Sequence, residues 1–171
     1  SLARNVGYVP RSRRASVAQI SFVVDASNVS ASTLTLKAGM VAVTAKRFSK
    51  KAYTFCIPAD ITVPINDSGQ ARFLNINIFQ GTFVENTFTV PNVGIDTDLL
   101  NVSVFNSEDS SVSKKFAQFN SLFTINSSSA IFFLQETEGE RYELLFGDGI
   151  FGTALQEPNF IKASYIISDG A

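Results

Sequence analysis

Apolar residues in this chain recur at every second position in short runs, and each run stops at a cluster of Gly, Pro, Asn, Asp or Ser. Side chains alternate faces along a β-strand, so this period gives one apolar face and one polar face. Ala18, Ile20, Phe22 and Val24 alternate with Gln19 and Ser21. Leu100, Val102 and Val104 alternate with Asn101 and Ser103, and Ile161, Ala163, Tyr165 and Ile167 share one face near the end of the chain. Within 71–79 the same rule places Phe73, Asn75, Asn77 and Phe79 on one side and Leu74, Ile76 and Ile78 on the other. A helix needs apolar residues three and four apart over a longer window, and most of the chain does not supply them.

Further strands are expected at 33–36, 40–45, 53–57, 61–65, 83–90, 130–134 and 141–146. Pro64 cannot donate to a ladder and marks its strand as an edge. Asn66-Asp67-Ser68-Gly69 and Gly147-Asp148-Gly149 are turns. Residues 135–140 form an acidic turn, and Lys46 to Lys51 a basic hairpin tip. In 114–125 the spacing of Phe116, Phe119 and Phe123 fits a short helix. Near the start, Gly7 and Pro10 close a short segment that leads into an arm over 1–15. The expected fold is mostly β, with about ten short antiparallel strands and at most one short helix. These strands build either a sandwich over 16–171 or two small β subdomains meeting near 91–98.

Composition decides which chemistry such a fold can carry. Apolar residues make up 45% and charged residues 17%, which supports a packed core and argues against disorder. The sixteen Phe, with no Trp, suit strands with a large burial contribution. The chain has no His, so it lacks the side chain that most often acts as a base near neutral pH or ligates a metal. Its single Cys, Cys56, stands between Phe55 and Ile57 and is expected to be a buried thiol. No apolar run reaches the roughly 20 residues that span a bilayer. The start carries no hydrophobic stretch of a secretory signal, and the chain reads as an internal or C-terminal piece of a longer protein.

Catalytic constellations are not evident. Asp96-Thr97-Asp98 lacks the further ligands and the Gly of a calcium loop, and the Asp side chains are expected to cap backbone N–H groups. Glu136, Glu138, Glu140 and Glu143 are the densest carboxylates, but a glycosidase needs two of them facing each other across a cleft. Gly147 to Gly152 has no Lys-Ser/Thr and no dinucleotide-binding glycine spacing, so it is not a phosphate cradle. These features point to a protein that is not an enzyme, with no cofactor, no metal and no catalytic residue.

Charge is unevenly placed. Residues 1–51 hold nine Lys/Arg and one acid, whereas 52–171 hold five Lys/Arg and fourteen acids. This asymmetry can steer contacts between copies or neighbouring proteins. Arg11, Arg13 and Arg14 with Lys46, Arg47, Lys50 and Lys51 are therefore the candidate interface residues, meeting acidic surfaces of neighbours. Nucleic acid is not the expected partner, because the chain is acidic overall and shows no base-reading module. Gly147, Asp148, Gly149 and Gly152 are read as a structural turn, with Gly147 and Gly149 at positive φ.

Three stretches together resemble a known family. The first is Val6-Gly7-Tyr8-Val9-Pro10 with Arg11 and Ser12, leading through Ala15 into a strand. The second is Thr33-Leu34-Thr35-Leu36-Lys37-Ala38-Gly39, followed by Tyr53-Thr54-Phe55. The third is Tyr142-Glu143-Leu144-Leu145-Phe146-Gly147-Asp148-Gly149-Ile150-Phe151-Gly152, with Asn159-Phe160-Ile161 and Tyr165 after it; Ile95-Asp96-Thr97 also fits. In this order they resemble the baseplate J-like wedge proteins of contractile-tailed phages, the T-even type in particular. Glu157-Pro158 departs from the pattern, where a Gly is expected.

The resemblance implies a structural component of the virion tail baseplate, assembled in the host cytoplasm. Such a protein contacts copies of itself and other wedge subunits, is a homo-oligomer at full length, and does not insert into membranes. A carbohydrate-binding or adhesin-like β module is the alternative.

Overall fold

The computed structural model describes residues 12–44, 52–119 and 126–168. The protein is mostly β. Its strands are β1 (Val17–Asp25), β2 (Thr33–Leu36), β3 (Gly39–Val43), β4 (Thr54–Ile57), β5 (Ile61–Pro64), β6 (Gln70–Thr87), β7 (Asn101–Phe105), β8 (Ser113–Gln118), β9 (Ile131–Thr137), β10 (Arg141–Phe146) and β11 (Phe160–Ser168). Among the described residues, one 3-10 turn, Thr97–Leu99, precedes β7. Lys46 to Lys51, the expected hairpin tip, lies outside the described residues, as does the N-terminal arm before Ser12.

Nine strands form one sheet in the order β10-β9-β8-β7-β11-β6-β4-β3, with β1 also on β6. Phe79 of β6 pairs with Val17 of β1 and with Cys56 of β4, so those two strands lie on opposite edges of β6. β11 then shares the β1 edge: β11 lies along 81–87 and β1 along 70–79, end to end. The other two strands, β2 and β5, make a separate antiparallel pair. Pro64 sits at the end of that pair, where no ladder donor is needed.

Two hydrophobic clusters follow from this arrangement. In the first, Ile57, Ala71, Phe73, Ile76 and Ile78 are buried, and Leu34, Leu36, Ile61 and Val63 of the small sheet pack onto them. The second joins Val102, Val104, Phe116, Phe132, Leu134, Tyr142, Ile161, Ala163 and Tyr165. Full burial of a side chain such as Phe73 or Phe132 contributes about 1.5–3 kcal/mol of transfer free energy. Val90, just before the segment 91–98, and Ile95 within it belong to the second cluster. β6 runs from one cluster to the other, with Ile78 in the first and Val84 packed against the second.

Gly81 is required there. It has φ +154, and a Cβ would collide with the Ile167 carbonyl and the Ile166 side chain. Glycine alone permits this approach of β11 to β6. The Cys56 thiol is buried and donates to the Gly81 carbonyl at 3.3 Å. Tyr165 is also buried, and its hydroxyl donates to Asn92 Oδ1 at 2.5 Å. Burial pushes its phenol above the ordinary value of 10.0. Among the described residues no buried side-chain nitrogen or oxygen lacks a hydrogen-bond partner, as a well-formed core requires.

Four expectations are corrected. Residues 113–118 are a strand, not the start of a helix. Phe116 is buried opposite Val102, and β8 lies between β7 and β9, so ladder hydrogen bonds outweigh the helical spacing of Phe116 and Phe119. Phe123 lies outside the described residues. The sheet is not wholly antiparallel, because β8 and β9 pair in parallel at Ala117–Ile131 and Gln118–Phe132. The strands are not all short: β6 has 18 residues and passes through Gly81 without a break.

The fourth correction concerns faces. Phe73 is buried on the same side as Ile76 and Ile78, and Leu74 is 52% exposed. The pairing moves from Ile20–Ile76 to Phe22–Phe73, so β6 carries one extra residue. That bulge contains Asn75 at φ 54, whose N–H donates to Ser21 Oγ at 2.9 Å. An extra residue inverts the facing of everything beyond it.

Candidate interface site

Two structured features stand out on the surface. The first is the loop joining β10 to the chain before β11. Asp148 Oδ1 accepts from the N–H groups of Ile150 at 2.8 Å and Phe151 at 2.9 Å. These bonds stabilise the carboxylate and hold the Asp148 carboxyl below its ordinary 3.8. Gly149 N–H donates to the Gly152 carbonyl at 3.1 Å, which closes the turn. The turn is then fastened to the preceding loop: Gly152 N–H donates to Asn126 and Thr153 N–H to Ser129, each at 2.9 Å.

Gly149 is at φ +86, as the sequence predicts. Gly147 is not at positive φ, which corrects that expectation. It is needed for a different reason: a Cβ there would run into the backbone of Phe151 and Gly152. Gly152 combines both constraints, with φ +86 and with Ile131 Cγ1 only 2.9 Å from where a Cβ would stand. The loop thus rests on close backbone packing, and it projects two large apolar side chains. Ile150 is 70% exposed and Phe151 63%. Sequence reasoning took this stretch as a turn and passed over these two residues. The available signal was two bulky apolar residues between glycines, outside any alternating run.

The second feature is the chain entering β1. Asp96 and Thr97 are buried at 4% and 5% exposure. Asp96 accepts two backbone donors, Asp98 N–H at Oδ1 (3.0 Å) and Ala15 N–H at Oδ2 (2.8 Å). The first bond caps the 3-10 turn, in line with the capping role read from the sequence. Ser12 lies against Thr97, so this short segment is held on the second cluster.

The candidate interface residues divide accordingly. Arg13 pairs with Glu140 at 3.2 Å and Arg14 with Asp98 at 3.4 Å, both largely in solvent. Each arginine therefore has a carboxylate partner within the chain. Arg11, Lys46, Arg47, Lys50 and Lys51 lie outside the described residues.

Arg13 also borders a cavity of about 280 Å³ shared with Ser12, Gly94, Ile95, Glu136, Glu140 and Tyr142. Glu140, in the turn between β9 and β10 at φ 60, is the partner of Arg13 in this cavity. Among the described residues no three Cys, Asp or Glu side chains cluster so as to hold a metal ion. Among the same residues no helix is long and apolar enough to cross a membrane. No family model matches this chain, and no curated protein matches it.

Proposed function

We propose that this chain is a structural component of a contractile-tail baseplate wedge, acting by self-association and by contacts with other wedge subunits during tail assembly. The observation that carries the reading is the loop Gly147 to Gly152, which is held by four backbone and carboxylate hydrogen bonds and still presents Ile150 and Phe151 to solvent. Leaving two large apolar side chains in water is unfavourable for an isolated domain. Such a pair suits an interface, where aromatic anchors carry much of the binding energy. A loop already tied in place also loses little conformational entropy on docking. The same segment carries the most specific part of the resemblance to baseplate J-like proteins. On this reading the chain is not an enzyme, needs no cofactor, and works in the virion tail.

The test is co-expression with the products of neighbouring genes, followed by sizing with light scattering. A stable complex with self-association is expected. The double substitution Ile150→Ser and Phe151→Ser should lower its yield about tenfold or more, the loss of roughly 1.4 kcal/mol or more of binding, without moving the melting temperature. A solitary monomer that ignores those partners overturns the reading. It would shift weight to a carbohydrate-binding or adhesin-like module, for which a glycan screen against the exposed Phe88 and Phe151 is the next measurement.

A further inference from the structure

The segment leading into β1 is tied to a part of the chain more than eighty residues away. Ser12 Oγ accepts from Thr97 N–H at 2.9 Å and lies 2.9 Å from the Thr97 hydroxyl. Ala15 N–H donates to the buried Asp96 carboxylate at 2.8 Å. Between these two points Ser168 Oγ donates to the Arg14 carbonyl at 3.2 Å, and just beyond them Gln80 N–H donates to the Ser16 carbonyl at 2.8 Å. One short strap therefore touches the 3-10 turn, the end of β11 and the middle of β6.

Its position matters more than its length. β11 ends at Ser168 opposite Gly81, and β1 begins at Val17 opposite Phe79. On that edge of β6 the ladder changes partner at Gly81, the residue with the least backbone restraint in the strand. The two hydrophobic clusters lie on either side of this seam. Strap residues cross it: Ser12 and Ala15 hold on the second-cluster side, and Ser16 passes directly into the strand of the first.

We propose that residues 12–16 are a latch across this seam. Ser12 and Asp96 form the lock, and the latch fixes the direction in which the chain enters β1 while stiffening β6 at Gly81. The charged pairs Arg13–Glu140 and Arg14–Asp98 contribute little, because both are largely solvated. The inference does not depend on what the molecule assembles with.

The Arg14–Ala15 bond makes the latch testable. The Arg14 side chain is 80% exposed, so trypsin can reach it, yet the backbone must be released before it fits a protease. In the folded protein this bond should be cut slowly, and the Ala15 amide should exchange slowly. Ser12→Ala and Asp96→Ala should each raise both rates about tenfold or more, while amides in β1 and β11 keep their wild-type rates. Asp96→Asn, which keeps an oxygen acceptor, should recover part of the protection. Two results overturn the proposal. One is a wild-type bond cut as fast as in a free peptide of residues 8–20. The other is protection in β1 and β11 falling in step with that of Ala15, which would mean general unfolding. Should Asp96→Ala fail to fold, Ser12→Ala decides the matter alone.

Discussion

At the scale of the residue, glycines of one loop serve two separable purposes. Gly149 supplies a positive φ in open space, with Ala154 Cβ 3.9 Å from an added methyl group. Its cost on substitution is conformational, about 1–2 kcal/mol for a side chain forced into the left-handed region. Gly147 has no such φ, and its cost is steric contact with the backbone of Gly152. Gly147→Ala should therefore lose on the order of 3 kcal/mol, clearly more than Gly149→Ala, in the midpoint of urea unfolding. Equal losses would show that the close approach at Gly147 is not rigid. The turn itself was legible, because Gly-Asp-Gly is a local signal. Which glycine needed φ and which needed space was not, since the second depends on Gly152 folding back on Gly147. Cys56 shows the reverse case. Its apolar neighbours predicted burial, and the packed thiol follows from them alone.

At the scale of the element, strands were legible and their faces were not always so. β1 follows the alternation of its own sequence throughout, and β11 does so from Phe160 to Tyr165, after which Ile166 is buried as well. In β6 the alternation is broken by the bulge at Asn75, and no residue in 71–79 announces an insertion. Asn is the informative residue only in hindsight, as one of the few side chains that tolerate φ 54. Asn75→Gly should keep stability close to wild type, whereas Asn75→Val should lose about 1–2 kcal/mol. Chemical denaturation of the two variants checks this. A Val tolerated as well as Gly would mean that the bulge can slide along β6. The misreading of 113–118 has a different origin. The spacing of Phe116 and Phe119 suits a helix, yet Phe116 lies on a strand covered on both sides, and only the positions of β7 and β9 reveal that.

At the scale of the whole molecule, β6 joins both hydrophobic clusters, pairing with β1 and β4 in one part and with β11 in the other. Neither cluster can open fully without disturbing that strand. Heat or denaturant should therefore produce one cooperative transition, with the most protected amides of β1 and β11 exchanging at the same opening free energy. Two separated transitions, one for each cluster, would show that the seam at Gly81 uncouples them. The sequence by itself determined the mostly β class, most turns, the buried thiol and the capping role of Asp96, because each rests on residues within a few positions of one another. Tertiary structure alone decided the parallel joint of β8 and β9, the course of β6 through both clusters, the bond of Ser12 to Thr97 and the exposure of Ile150 and Phe151. These depend on which distant segments meet, and a local pattern carries an apolar face without carrying the identity of what will cover it.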